Sequence, residues 1–260
     1  MEKNEYKNIY KSEDNHWWYK GLHELVELYI IKEKIDKKIK IFDAGCGTGK
    51  MISILQNYGD VKGNDFSRDA INICRERGLD NVEIKDLNTW SSNGELYDII
   101  VCLDVLYHSS IEDDIEIIRK FYSALNDEGV LILNNPAFNI LRRKHDVVVG
   151  GKRRYRKDYL ISELDKIGFK KIISTYRLPY LFIVILIKKA FRLFFHILEN
   201  ESDLKEVHPF INRFLLTFNR VENFFILKGL SIPFGSSLFI IAKKYDLFDK
   251  NKPYQNILYN

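Results

Sequence analysis

Seven short apolar runs, near residues 39–43, 60–64, 82–85, 97–103, 129–134, 170–176 and 237–244, carry the pattern of β-strands. Between them lie stretches whose apolar positions recur at helical spacing. The clearest runs from about Lys20 to Lys34, where Leu22, Leu25, Val26, Leu28, Tyr29 and Ile30 make a broad apolar side. Further helices are predicted over 50–57, 68–77, 112–125 and 157–167, the last stopped by Gly168. Strands alternating with helices imply βαβ units and an α/β fold around a mostly parallel sheet.

Two segments depart from this alternation: residues 136–157 and residues 177–236. The second opens with a greasy run, Leu178 to Ile187, followed by Lys188, Lys189 and Arg192 ahead of Phe194-Phe195. The uncharged run is too short to span a bilayer, which takes about 20 apolar residues. It reads as a lid packed on the sheet, a face for a homodimer, or a helix lying in the membrane interface with its lysines at the headgroups.

Composition narrows the picture. With 260 residues, 46% of them hydrophobic, and no Gly/Ser/Pro-rich linker or internal repeat, the expectation is a single elaborated domain over 1–260. Cys46, Cys74 and Cys102 are odd in number and far apart. They show no metal-ligand spacing and indicate a reducing compartment. The charged Met1-Glu2-Lys3-Asn4-Glu5 start shows no signal-peptide pattern, so a cytoplasmic location is expected, with peripheral contact to the inner membrane face if the greasy run lies on lipid. A net charge of +4 is too mild to imply a nucleic-acid partner. The cations are clustered, however. Arg142, Arg143, Lys144, His145, Lys152, Arg153, Arg154, Arg156 and Lys157 crowd one region, with Asp146 the only acid between Arg142 and Lys157. Such a run is either a solvated face or a site for an anion.

The most informative local motif is Lys40-Ile41-Phe42-Asp43-Ala44-Gly45-Cys46-Gly47-Thr48-Gly49: a strand, an acid, then glycines at alternate positions before a helix. Dinucleotide folds require G-x-G-x-x-G, and here position 50 is Lys. The G-x-G-x-G pattern after Asp resembles motif I of the class I S-adenosylmethionine-dependent methyltransferases. That resemblance implies a Rossmann-like sheet of seven strands, six parallel and the last inserted antiparallel, with ligand at the carboxyl ends of the strands. It assigns residues 37–135 to the cofactor half, 1–36 to an entry lid, and the segments 136–157 and 177–236 to the acceptor side.

The family pattern then implies roles for individual positions. Asp43, Gly45, Cys46, Gly47 and Gly49 would pass under the methionine part of the cofactor. Asp65, ending the second strand, would take the ribose hydroxyls, with Phe66 beside it; alternatively Asp65 or the better-suited Ser67 caps the following helix. Asp86 and Leu87 would meet the adenine, unless Asp86 is a simple turn residue. Leu103 and Asp104 follow the fourth strand, and His108 is either a general base or a packing histidine. Asn135-Pro136-Ala137-Phe138 looks like the Asn-Pro-Pro-aromatic motif of amino-methylating enzymes, but it follows the fifth strand and lacks the second proline.

The outer segments resemble a narrower subgroup associated with surface-polysaccharide and cell-envelope pathways: His16-Trp17-Trp18-Tyr19 at the entry, His145-Asp146 with Arg153-Arg154-Tyr155, and Pro233-Phe234-Gly235-Ser236-Ser237-Leu238 before the last strand. The resemblance implies Trp18 over the sulfonium cofactor, His145 and Tyr155 as further catalytic candidates, and Arg153 and Arg154 on an anionic acceptor such as a sugar phosphate or glycan precursor. The departures are Gly150-Gly151, where the subgroup has a histidine, and Gly21-Leu22-His23, where it has arginines. No metal is implied. An apolar quinone or lipid acceptor, or a cofactor-binding scaffold without catalysis, are the other readings.

Overall fold

The computed structural model describes residues 3–33, 39–195 and 207–245. Its elements in chain order are α1 (Lys3–Ser12), α2 (Trp17–Lys32), β1 (Ile39–Ala44), α3 (Lys50–Leu55), β2 (Gly59–Asp65), α4 (Arg68–Glu76), β3 (Val82–Ile84), β4 (Tyr97–Leu103), α5 (Asp114–Ala124) and β5 (Leu125–Pro136). A 3-10 turn at Asn139–Leu141 leads to α6 (Lys144–Val148), α7 (Lys157–Ile167), β6 (Phe169–Arg177), α8 (Pro179–Phe195), α9 (Pro209–Leu227) and β7 (Ser237–Lys244).

The seven strands form one sheet in the order β3-β2-β1-β4-β5-β7-β6. β1 is parallel to both β2 and β4, whereas β7 runs antiparallel between β5 and β6. The polarity expected from the family resemblance is therefore present. The order reverses between β1 and β4, and in such sheets the crevice beyond the carboxyl ends at this point receives ligand.

Alternation along each strand builds two cores. Phe42, Ile100, Cys102, Leu131, Leu133, Phe169 and Ile240 face Phe121 of α5 and Leu160 and Leu164 of α7. Their neighbours Ile41, Ile99, Val101, Ile132, Phe239 and Ile241 face Leu22, Leu25 and Tyr29 of α2, Ile52 of α3, Ile71 of α4 and Ile226 of α9. Both faces of the central strands are covered, which is why they read as nearly continuous apolar runs.

Helix starts follow local chemistry. Asp113 caps α5, accepting from the amides of Ile115 and Glu116 at 3.0 Å each, so this helix begins two residues later than the apolar spacing predicts. Gly168 closes α7 at φ 120. β5 begins earlier than predicted because Leu125 already pairs with Tyr97 across a register shift.

α1 and α9 escaped the sequence reading. α9 packs along α2 through polar contacts: Asn219 donates to the Trp17 carbonyl at 3.0 Å and Asn223 to the Gly21 carbonyl at 2.7 Å. Gly21 makes this approach possible, since a Cβ there would lie 2.2 Å from Asn219 Nδ2. Among the described residues, no helix is long and apolar enough to cross a membrane.

Candidate active site

A cavity of about 550 Å³ opens over the carboxyl ends of β1, β2, β4 and β5. Its floor is the loop after β1. Gly45 adopts φ 76, and a Cβ there would fall 2.5 Å from Val105 Cγ2. Gly47 adopts φ 54 and has nothing within 4 Å of its missing Cβ, so the open side of this loop faces free space. Gly49 is different. It caps α3, its Cβ position is crowded by Leu79 and Cys74, and it does not line the cavity. The third glycine of the motif therefore serves helix packing.

The loop is tied to the end of β2. Cys46 N donates to the Asn64 carbonyl at 2.8 Å and Gly47 N to Asp65 Oδ2 at 3.0 Å, while Ser67 N donates to Asp65 Oδ1 at 2.8 Å. Ser67 itself caps α4 through Ala70 N, so Asp65 is not the cap and its carboxylate borders the cavity beside the half-exposed Phe66. The Cys46 thiol is held protonated by its contact with Cys74 and by burial.

Asp43 lies beneath, 3% exposed, and its Oδ2 has no hydrogen-bond partner. Burial, with the nearby Asp65 adding, pushes its carboxyl up to about 7. A buried acceptor without a donor is costly unless a ligand or water meets it. Asp43 and the open Gly47 fit a cofactor that brings a cation, an amino group and a diol, as S-adenosylmethionine does.

Asp86 and Leu87 line the adjoining wall. Asp86 Oδ1 also accepts from Asn88 N at 2.9 Å, so the turn role foreseen for it is present beside its place in the wall. Past β4, Leu103 and Asp104 line the same space. Asp104 sits at φ 56, fixed by two contacts from Asn134 Nδ2 at 3.1 and 2.9 Å, and burial raises its carboxyl to about 7.

His108 borders the cavity, stacked on Tyr107 at 4.3 Å and bridged to Gly151. Burial lowers its pKa to about 4, so the imidazole is neutral at ordinary pH. Gly150-Gly151 bring the 142–156 loop against this histidine: Ser109 N donates to the Gly150 carbonyl at 2.7 Å.

Above the floor lie Trp18, Tyr19 and His23 of α2 together with Glu5, Tyr6 and Ile9 of α1. Trp17 borders the cavity as well and packs in a cluster with Leu178 and Leu216, so the aromatic entry both docks and lines. α1 is clamped by Glu13, which accepts from Thr48 Oγ1 at 2.7 Å and ion-pairs with Arg77. Tyr6, Ile9, Tyr10 and Glu13 have helical spacing, the one signal by which this lid was legible. His23, pushed down to about 4 by burial, and Asn64 were also missed.

Within the basic region, Arg143 and Arg154 line the cavity, while Arg153 and Tyr155 turn to partners away from it. Arg153 ion-pairs with Asp114 and donates to the Ile111 carbonyl at 3.0 Å. Tyr155, 2% exposed, donates to Asp114 Oδ2 at 2.7 Å. Neither lines the cavity. Arg154 does border it, but its guanidinium is spent on both oxygens of Asp146 at 2.7 and 3.1 Å and on the Ala137 carbonyl at 2.9 Å. His145 lies in α6, and its side chain falls outside the described residues. Pro136 ends β5, paired with Ser237, and lines the cavity from there, so the Asn135-Pro136 pair is not positioned after β4. The stretch of wall supplied by α8 and α9 is apolar, with Leu181, Val184, Ile185 and Leu215 and Lys188 beside them, while Arg143, Asp146, Ser236 and Ser237 line the cavity elsewhere. Among the described residues no cluster of acids, histidines and cysteines is arranged for a metal.

The chain is 27% identical over 138 residues to a ubiquinone biosynthesis O-methyltransferase of Haemophilus ducreyi, covering 49% of this chain and 55% of that protein. It is 27% identical over 137 residues to a tRNA U34 carboxymethyltransferase of Campylobacter hominis, covering 45% and 47%. The chain thus spans about half the length of these curated relatives. Two solved structures share its fold: a SAM dependent methyltransferase from Archaeoglobus fulgidus, at TM-score 0.53 and 19% identity over 85% of this chain and 94% of that one, and a possible histamine N-methyltransferase from Thermotoga maritima, at 0.56 and 16% over 93% and 95%. Residues 14–172 match the family described as Methyltransferase domain. With that match running from the α2 entry into β6 and over the whole glycine-loop site, the chain belongs to the methyltransferase-domain family, whose cofactor is S-adenosylmethionine.

Proposed function

We propose that this protein is an S-adenosylmethionine-dependent O-methyltransferase acting on a hydroxyl of an acceptor with an apolar body, such as a quinone precursor or lipid. The observation that carries the reading is the acceptor wall of Leu181, Val184, Ile185 and Leu215. The ubiquinone O-methyltransferase relatives agree with it. Lys188 on the same wall favours a second reading, a lipid-linked or phosphorylated glycan precursor whose anion meets that ammonium.

When bound, S-adenosylmethionine supplies a methyl group already activated on a sulfonium. This chain's residues then have three tasks. Asp65, with Phe66, Asp86 and Leu87, holds the nucleoside end; Asp43 and the 45–47 loop hold the amino-acid end. Trp18, Tyr19 and α1 exclude water, and aromatic faces suit a positive centre. The acceptor hydroxyl gives its proton to Asp104, poised near 7, or to the neutral His108.

Transfer of a labelled methyl group tests this directly. A prenylated phenol or catechol should be methylated and a water-soluble sugar phosphate should not. Preference for the sugar phosphate would favour the second reading, and failure with both would remove the apolar-acceptor assignment. In the pH profile at saturating cofactor, an inflection near 7 that Asp104→Asn abolishes and Asp43→Asn leaves in place assigns the proton to Asp104, and one near 4 assigns it to His108.

A further inference from the structure

α8 and α9 each bury one face and leave another apolar face outside. On α9 the buried residues are Leu216, Asn219, Glu222, Asn223 and Ile226. Its outer stripe is Phe210, Phe214, Phe218, Val221 and Phe225, between 47% and 74% exposed and repeating at three- and four-residue steps. On α8, Ile183, Ile187 and Phe191 form a second stripe at four-residue steps, 47%, 61% and 55% exposed. Scattered surface leucines need no explanation, but apolar stripes on two helices, one of them mostly phenylalanine, do.

Charge identifies the occupant. α8 contains no acid, and the only acid of α9, Glu222, is 9% exposed and accepts from Leu178 N at 2.7 Å. Lys188, Lys189, Arg213 and Lys228 border the stripes. A second copy packed here about a twofold axis would set these cations against one another with no exposed acid on either helix to oppose them. A bilayer leaflet bearing anionic headgroups accepts both the phenylalanines and the cations, and neither helix is built to cross it.

The face is continuous with the site. Val184 lines the cavity and is 43% exposed, and Leu181, Ile185 and Lys188 line it from the same helix. We infer that α8 and α9 dock the enzyme on an anionic membrane surface, lying in the headgroup region, so that an apolar acceptor passes from the leaflet into the cavity between them. The docking rests on the apolar-acceptor reading for its purpose but not for its occurrence.

The test is flotation of the full chain with vesicles of phosphatidylcholine alone or with phosphatidylglycerol added, for wild type and for the double variant Phe214→Ser, Phe218→Ser. Wild type should rise with the anionic vesicles, less so at high salt, and the variant should stay at the bottom while binding S-adenosylmethionine as wild type does. Cofactor binding shows that the variant is folded. Wild type remaining at the bottom with both vesicle types would overturn the proposal, as would a variant that floats equally. A stable dimer that the double substitution dissociates, without vesicle binding, would give the face to a second copy instead. Methylation of a short-chain, water-soluble phenol separates the two claims. Transfer without flotation removes only the docking; flotation without transfer to any apolar acceptor removes only the acceptor reading.

Discussion

On the cofactor side of the cleft, from Asp43 to Asp104, each polar group of interest lies at a strand end and is held largely by neighbours in the sheet. The Gly47 amide meets Asp65, and Asn134 meets Asp104. On the acceptor side, the walls come from segments nearly 200 residues apart, with Asn219 of α9 bonded to the carbonyl of Trp17. The two sides also invert expectation. Two arginines of the densest cationic run, Arg154 and Arg153, are folded onto Asp146 and Asp114, while some of the most apolar helices turn phenylalanines outward. A local motif carries its own geometry, whereas the direction of a charge run or a greasy helix depends on partners that local pattern does not specify.

The sharpest way to break this contrast is at Arg154. Its guanidinium and the Asp146 carboxylate are both nearly excluded from water, so Arg154→Gln strands a buried charge and should cost about 3 kcal/mol or more of stability in denaturant unfolding. If the region were an open anion site, the same change would leave stability untouched and weaken the acceptor. At the α2–α9 seam, Gly21→Ala drives a methyl into Asn219 and should cost roughly 1–3 kcal/mol. An unchanged melting temperature would mean that α9 does not seat on α2 as described.

A smaller effect concerns pH. Asp43, free of ligand, holds its proton up to about 7, so binding a cation to its ionised form must release that proton below pH 7. Affinity for S-adenosylmethionine should therefore fall as pH drops from 8 to 6, by up to about tenfold per unit. Asp43→Asn should bind weakly and lose that slope; a slope that survives would place the titrating group elsewhere. Without ligand the sign reverses. A carboxyl raised in the folded state favours folding below its folded pKa relative to above it, so the free protein loses this contribution as pH rises from about 4 to 7.

The seven strands and five of the helices were legible because apolar alternation and caps such as Ser67 and Gly168 are written in consecutive residues. The glycine loop was legible as a motif, but its parts were not equivalent: Gly47 opens to the cavity and Gly49 packs a helix. The partners of Arg153, Arg154 and Tyr155 were not legible, because nothing in the local run shows that the carboxylates of Asp114 and Asp146 reach these side chains. Residues 1–36 read as an entry lid, but the helix α1 within them was not predicted because its apolar side is narrow; among the described residues its buried core contact is Tyr6 against Ala70 and Ile73.

The account turns on a cofactor seated between the 45–47 loop and Asp65. Calorimetric titration of wild type and Asp65→Ala with S-adenosylmethionine tests it most directly. Wild type should bind, and the variant, lacking an acceptor for the diol, should lose roughly 100-fold in affinity. Equal binding by the two proteins, or none by folded wild type, would contradict it.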